Sequence, residues 1–172
     1  MPSSDQGVTR DRYTLIPRTL IFLTRGERVL LLKGAPHKRL WANLYNGIGG
    51  HIERGEDVLA SARRELLEET GLQAPDLWLC GVITVDTGQN TGIGIYVFKG
   101  ECISGEAHPS SEGALEWVTY AKVLNKPLVE DLYQLLPVVL QMQSGNPPFS
   151  ANYSYDKEGK MVVRFSAEAP DP

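Results

Sequence analysis

The 172-residue chain contains few cysteines, no excess of basic residues and no long apolar run. Its two cysteines, Cys80 and Cys102, and its three histidines lack the spacing of a zinc site. We therefore expect reduced thiols that pack as small hydrophobic side chains. The net charge of −4 argues against broad contact with a nucleic-acid backbone, which requires clustered Lys and Arg.

Targeting segments are also missing from the sequence. No apolar stretch is long enough to cross a bilayer, and residues 1–13 contain no apolar core of a secretion signal. We therefore expect a cytoplasmic protein whose partner is neither a membrane nor a nucleic-acid polymer. The sequence does not indicate an oligomeric state.

The composition, 42% hydrophobic and 22% charged, is that of a globular protein rather than a disordered chain. The length suits one domain, which we assign to residues 13–166, with flexible tails at 1–12 and 167–172. Alternating apolar residues and turn signals predict hairpins at 14–33, 77–101 and 149–165, a strand at 115–120, and helices at 57–70 and 128–143. This order predicts an α/β fold with helices packed on a mixed sheet.

The helix predicted at 57–70 has recognisable ends and two distinct faces. Asp57 is a suitable N-cap, and Gly71 suits the position just after the last turn. Helical spacing aligns Leu59, Ala62 and Leu66 on one side, and places Glu65, Glu68 and Glu69 on the adjoining sector.

Three carboxylates on one face repel each other unless a cation neutralises them. Hard oxygen ligands favour Mg²⁺, with Mn²⁺ as an alternative, and Mg²⁺ commonly serves a phosphate substrate. Arg64 stands four residues before Glu68 and is expected to orient it. The ordinary alternative is a solvated acidic helix that only keeps the protein soluble.

The surroundings of this helix decide between the two interpretations. Nine defined positions across residues 50–72 carry a specific pattern: Gly50, Glu56, Arg64-Glu65-Leu66, Glu68-Glu69 and Gly71-Leu72. This pattern resembles the Nudix box of the Nudix hydrolases, including MutT. The resemblance implies an α/β/α sandwich with a mixed sheet and additional antiparallel hairpins. It also implies that the substrate is a nucleoside diphosphate linked to some other group, and that the enzyme hydrolyses a phosphoanhydride bond of this substrate.

The same resemblance assigns roles to individual residues. The backbone carbonyl of Gly50 and the carboxylates of Glu65, Glu68 and Glu69 would bind the metal. Glu112, in a loop five residues before Trp117, resembles an additional metal or base glutamate of related enzymes. Either Glu65 or Glu112 would take the proton from water, and Arg64 would orient the carboxylates.

The layout outside the box resembles the branch that hydrolyses oxidised purine nucleoside triphosphates, such as 8-oxo-dGTP, to monophosphate and pyrophosphate. In that branch Asn46 would contact the base, and Glu130 and Asp131 would read the purine edge. The sequence departs from the pattern at Leu128, where the family has a bulky aromatic residue, and at Glu130, where it has Asp. The same residues also have ordinary structural explanations. Asn46-Gly47 is a common turn dipeptide, and acids such as Glu130 and Asp131 are favoured by the helix dipole in a first helical turn.

Other interpretations remain open from the sequence. Three aromatic residues, Trp41, Tyr45 and Trp78, are candidates for stacking on a purine, although core packing is the commoner use of such residues. An ADP-ribose or ADP-sugar pyrophosphatase and a non-catalytic nucleotide-sensing module are the alternative functions. None of the three histidines is assigned a catalytic role.

Overall fold

The computed structural model describes residues 3–9, 11–102, 104–108 and 110–166. A short 3₁₀ helix, Ser3–Gln6, precedes a mixed sheet of eight strands and three helices in the described part of the chain. In chain order these are β1 Thr14–Arg25, β2 Arg28–Gly34, β3 Tyr45–Asn46, α1 Val58–Thr70, β4 Trp78–Val85, β5 Thr91–Glu101, β6 Gly113–Thr119, α2 Tyr120–Val123, α3 Leu132–Gln141, β7 Phe149–Tyr155 and β8 Met161–Phe165.

The sheet has the order β3-β2-β1-β5-β4-β7-β8, and β6 pairs with β2 outside this path. The antiparallel pairs β1–β2, β4–β5 and β7–β8 confirm the three predicted hairpins. Two parallel contacts, β1 with β5 and β4 with β7, make the sheet mixed. The α/β fold predicted from the sequence is therefore confirmed. The predicted tail at 167–172 lies outside the described residues.

The first hairpin opens soon after its turn. Strands β1 and β2 pair only at Thr24 with Val29 and at Arg25 with Arg28, and farther along β2 pairs with β3 at Leu32 and Lys33 instead. Strand β6 pairs with β2 along its whole length. The side of β1 that β2 leaves is taken by the glycine-rich segment 48–52, which forms isolated bridges to β1. One contact is the Ile52 amide, which donates to the Pro17 carbonyl at 3.1 Å. This opening brings the segment before α1 into the middle of the sheet.

Buried side chains form one cluster on each face of the sheet. Successive residues of β1 alternate between the clusters, as the pleat of a strand requires: Ile21 and Leu23 pack with α1, whereas Leu20 and Phe22 pack with α3. Both cysteines are free and buried, as predicted. No helix in the described part of the chain is long and apolar enough to cross a membrane.

Helix α1 has the ends that the sequence predicts. The Asp57 carboxylate accepts hydrogen bonds from the amides of Leu59 and Ala60, both at 2.9 Å. At the other end Gly71 adopts φ 72°, and its amide donates to the Leu67 carbonyl at 2.8 Å. The left-handed conformation favours glycine there because a side chain would be strained. Both caps fix where the acidic face of α1 begins and ends.

The helix predicted at 128–143 is shorter than expected, because α3 begins only at Leu132. Residues 127–129 instead run beside β3: the Tyr45 amide donates to the Pro127 carbonyl at 2.8 Å, and the Val129 amide donates to the Tyr45 carbonyl at 3.0 Å. Pairing with a neighbouring strand satisfies the backbone groups that a helix would have satisfied internally. The prediction was wrong for this segment, and Pro137 lies inside the shorter helix.

Candidate active site

A cleft of about 660 Å³ lies beside the middle of β1 and the glycine-rich segment before α1. Its volume lies within the range of ordinary small-molecule sites, about 300–1,000 Å³. One set of lining residues, the acidic set, combines Gly50 with four of the five glutamates of the lining: Glu65, Glu68, Glu69 and Glu112. The fifth, Glu53, lies in the loop before α1. A second set is largely apolar or aromatic, with two polar residues: Leu20, Trp41, Asn46, Val85, Ile93, Ile95, Val129, Asp131, Tyr153, Tyr155 and Met161.

Arg64 connects the acids of the Nudix-like segment. Its Nη1 donates to Glu65 at 2.8 Å and to Glu68 at 3.0 Å, which confirms the predicted pairing with Glu68. Its Nε donates to Glu56 at 2.6 Å, and this contact holds the pKa of Glu56 down at about 2. Arg64 is absent from the lining of the cleft in the described part of the chain. Its geometry therefore suits positioning of carboxylates rather than contact with a substrate.

Glu69 is the most enclosed of the three helix carboxylates. Its residue is only 9% exposed, and its carboxylate accepts one long hydrogen bond, at 3.4 Å, from the Gly49 amide. Burial raises the pKa of Glu69 to about 7, and the charge of Glu65 adds to the shift, whereas the Gly49 hydrogen bond opposes it. A carboxylate so poorly compensated favours a cation as its partner.

Gly50 lies directly against Glu65. A Cβ at position 50 would lie 2.4 Å from the nearer carboxylate oxygen of Glu65, a separation too short for any side chain. The Gly50 carbonyl accepts from the Thr19 amide at 2.9 Å, which leaves it a second lone pair. The absence of a side chain therefore keeps a backbone oxygen and a carboxylate together at one wall of the cleft.

The acidic set fits a hard divalent cation by the chemistry of its donors, which are carboxylate and carbonyl oxygens. Its arrangement is not that of a finished metal site, since in the described residues no three Asp, Glu, His or Cys side chains form a group that could hold an ion as they stand. Two of the carboxylates are instead held by Arg64. Binding an ion would require these side chains to adjust.

Glu112 reaches the same cleft from the loop before β6. Its carboxylate forms an ion pair with Lys38, and its carbonyl accepts from the Ala35 amide at 3.0 Å. The Glu112 amide in turn donates to the Ser110 hydroxyl at 3.2 Å. These contacts attach the loop to the segment after β2 and bring Glu112 into the same lining as the helix carboxylates.

The three residues expected to bind the base are separated by the structure. Asn46 and Asp131 line the cleft, whereas Glu130 is exposed and absent from the lining among described residues. Val129 and Asp131 both reach the cleft while Glu130 between them does not, because residues 127–129 run as an extended segment rather than as a helical turn. Burial raises the pKa of Asp131. The Asn46 side-chain oxygen accepts from the Gly47 amide at 2.8 Å.

Of the three aromatic candidates, Trp41 alone lines the cleft in the described part of the chain. It is 45% exposed and has a φ of 59°. Tyr45 belongs to the core and donates from its hydroxyl to Glu116 at 2.5 Å, and Trp78 packs against the same core. The second set also contains Tyr153 and Tyr155, which sequence reasoning missed. Their spacing of two along a strand was the signal that both side chains share one face.

Comparison with known proteins gives a consistent result. The model of the NUDIX domain family matches residues 14–139. The oxidized purine nucleoside triphosphate hydrolase of Danio rerio is 32% identical over 124 residues, which cover 72% of this chain and 78% of the relative. The corresponding protein of Mus musculus is 30% identical over the same shares.

Solved structures agree on the fold. The MutT protein of Bacillus halodurans superposes with a TM-score of 0.75 at 25% identity, covering 92% of this chain and all of that one. The NUDIX domain of Shewanella oneidensis NrtR, solved with ADP ribose, superposes with a TM-score of 0.66 at 17% identity, covering 82% of this chain and 98% of that one. With its family match, its cleft and its complete box, the chain belongs to the Nudix family and is a Nudix hydrolase.

Proposed function

We propose that this enzyme cleaves purine nucleoside triphosphates, including oxidised purines such as 8-oxo-dGTP, to nucleoside monophosphate and pyrophosphate with the help of a divalent cation. The observation that carries the proposal is that the same cleft is lined both by the acidic face of α1 and by Asn46 and Asp131. Phosphates and base of one nucleotide would therefore meet different walls of one cavity. Relatives named for oxidized purine triphosphates, at 30% and 32% identity, support the same substrate class.

The cation, Mg²⁺ or Mn²⁺, would be held by Glu65, Glu68, Glu69, Glu112 and the Gly50 carbonyl. Such an ion offsets phosphate charge and lowers the pKa of a bound water when present. The protein's own contribution is orientation: Arg64 holds Glu65 and Glu68, and the bare backbone of Gly50 leaves room for Glu65.

A carboxylate must take the proton of the attacking water, and two acids remain candidates for this role. Glu65 lies against Gly50 and is held by Arg64, whereas Glu112 is paired with Lys38 on the facing loop. Both line the cleft and so are within reach of a substrate there. The assignment between Glu65 and Glu112 stays a prediction.

The base would lie against the second set of lining residues. The Asn46 side chain can donate through its amide nitrogen, and Asp131 can accept, which suits the mixed donors and acceptors of a purine edge. Trp41 offers an exposed ring for stacking. Glu130 is exposed and lies outside the lining, so we do not retain it as a base contact.

A cytoplasmic location stays a prediction.

The test identifies the products formed from a panel of ordinary and oxidised purine triphosphates, ADP-ribose and ADP-sugars, with and without Mg²⁺. Cleavage of a triphosphate by the proposed route releases pyrophosphate and a nucleoside monophosphate, whereas cleavage of ADP-ribose or an ADP-sugar releases AMP and a sugar phosphate. We expect Mg²⁺-dependent turnover of at least one purine triphosphate, and loss of that turnover in Glu69→Gln. Turnover confined to ADP-ribose or an ADP-sugar would replace this proposal with the alternative activity. Turnover that Glu69→Gln leaves intact would contradict the metal assignment.

A further inference from the structure

Tyr153, in the middle of β7, carries a polar group for which the folded chain provides no partner. Its residue is 1% exposed, and its hydroxyl is the one buried side-chain nitrogen or oxygen without a hydrogen bond in the described part of the chain. Buried hydroxyls are nearly always paired, because desolvation without a partner is costly. An exception next to a cleft suggests a group whose partner arrives with a ligand.

The surroundings of Tyr153 identify the wall on which that ligand would lie. Tyr153 lines the cleft together with Asp131, among the apolar side chains of Ile93, Val129 and Met161. Burial of Tyr153 is the main cause of its raised pKa, and the charge of the nearby Asp131 adds to it. The hydroxyl therefore stays protonated near neutral pH and remains able to donate a hydrogen bond.

Asp131 occupies the N-cap position of α3, and its side chain makes no capping hydrogen bond. Its carboxylate lies near its own amide and that of Leu132, which partly oppose the effect of burial on its pKa. The comparable residue of α1, Asp57, caps its helix with two hydrogen bonds. A carboxylate at an N-cap usually satisfies the first amides of the helix. Asp131 instead lines the cleft, where a ligand donor can reach it.

We propose that Tyr153 determines base specificity: its hydroxyl and the Asp131 carboxylate together bind the edge of a purine that carries a hydrogen-bond acceptor beside a donor. The acceptor faces Tyr153 and the donor faces Asp131. The 6-oxopurines present this pair as a carbonyl and a ring N–H, and the 6-aminopurines present it as a ring nitrogen and an amino group. The inference rests on the proposed function, because it requires a base in this cleft. Strand β7 lies beyond residues 14–139, which the family model matches.

The test compares Tyr153→Phe, which removes only the hydroxyl, with the matched control Tyr96→Phe. Tyr96 packs with the cluster on the other face of the sheet and is not among the described residues that line the cleft. Dissociation constants are measured calorimetrically in Mg²⁺ for nonhydrolysable triphosphates of guanosine, adenosine and purine riboside, the last of which lacks an exocyclic group. Comparing the dissociation constants of the guanosine and adenosine analogues shows whether the site prefers a 6-oxopurine or a 6-aminopurine.

We expect Tyr153→Phe to weaken binding of the preferred base about 3- to 10-fold, the effect of one neutral hydrogen bond. If the preferred base is a 6-oxopurine, binding of the purine riboside analogue should change little, because the analogue lacks the carbonyl that faces Tyr153. If the preferred base is a 6-aminopurine, binding of the analogue should weaken as well, because the analogue keeps the ring nitrogen that faces Tyr153, and binding of the guanosine analogue should change little. Tyr96→Phe should leave the binding of all three ligands unchanged. An equal effect of Tyr153→Phe on all three ligands, or none on any, would overturn the inference while leaving the proposed function in place. Failure of the unmodified enzyme to bind any of the three, together with no turnover of any ordinary or oxidised purine triphosphate, would reject both.

Thermal unfolding without ligand gives an independent readout. If the hydroxyl serves a ligand, removing it abolishes an unpaired buried group, and Tyr153→Phe should unfold at the same or a higher temperature than the unmodified protein. If the hydroxyl instead had a structural role, Tyr153→Phe should unfold at a lower temperature than the unmodified protein. A lower unfolding temperature together with unchanged binding therefore contradicts the inference.

Discussion

Arg64 and Glu56 form a two-pronged ion pair, with Nε 2.6 Å from one carboxylate oxygen and Nη2 3.0 Å from the other. The remaining nitrogen of the fork, Nη1, is thereby directed to Glu65 and Glu68. Glu56 lies in the loop before α1, so the pair connects that loop to the acidic face of the helix. A planar guanidinium suits this arrangement, whereas a lysine ammonium would not.

The first prediction concerns this fork. Arg64→Lys keeps the charge but loses the bidentate contact, and we expect kcat/KM to fall about 10- to 100-fold, as for other residues that orient metal-binding side chains. The Mg²⁺ concentration required for half-maximal activity should rise in the same variant. Steady-state kinetics across a Mg²⁺ titration measure both. Arg63→Lys, at the exposed neighbouring position, is the matched control and should behave like the unmodified enzyme.

A second prediction concerns the contact between Gly50 and Glu65. Gly50→Ala would bring a Cβ to 2.4 Å from the Glu65 carboxylate, so Glu65 must move away from the cleft wall. We expect loss of at least about 100-fold in kcat, the usual scale for displacing a catalytic acid or base. Gly94→Ala is the control, because its Cβ would meet Leu15 at an ordinary 3.4 Å. Full activity in Gly50→Ala would remove Glu65 from the assigned site.

Local signals in the sequence predicted α1 well because both of its ends are determined within a few residues. Asp57 and Gly71 act through their own backbone neighbours, so their roles are readable without the fold. The paired strands of the three hairpins were predictable for the same reason, since each turn lies between its two strands.

Long-range pairing was not readable in this way. The start of α3 depends on whether residues 127–129 find hydrogen-bond partners on β3, more than eighty positions earlier. The wall of the cleft formed by Tyr153 likewise depends on the parallel contact of β7 with β4, which joins the closing hairpin to the main sheet. The absence of Glu130 from the cleft follows from the same extended segment.

A third prediction concerns the two thiols. Cys80 is fully buried, and burial raises the pKa of its thiol to about 12. Cys102 is covered by Arg25, whose Nε donates to the Cys102 carbonyl at 3.1 Å. Neither thiol should react with a disulfide reagent until the protein unfolds, because the thiolate is the reactive form and access is blocked. Arg25→Ala should make one thiol reactive in the folded protein and leave Cys80 protected; two reactive thiols would contradict this.

The last prediction is the pH dependence caused by Glu69. Its pKa is about 7 in the folded protein, against an ordinary value of 4.5 that we take for the unfolded chain. Between these values the folded state binds more protons than the unfolded state, so the stability of the metal-free protein should fall as the pH rises through this window. At about 1.4 kcal/mol for each pKa unit, the fall amounts to about 3 kcal/mol at most.

Chemical denaturation in EDTA at pH 4.5, 6 and 8 measures this effect. Glu69→Gln lacks the titrating group, so it should lose less stability than the unmodified protein over the same range and exceed its stability at pH 8. The difference between the two proteins isolates Glu69 from Asp131, whose raised pKa acts in the same direction in both. Adding Mg²⁺ at pH 8 should stabilise the unmodified protein more than Glu69→Gln, because the ion compensates the carboxylate that burial destabilises. Identical pH profiles for the two proteins would mean that Glu69 is ionised at its usual pKa, and the argument for a cation at that position would lose its electrostatic basis.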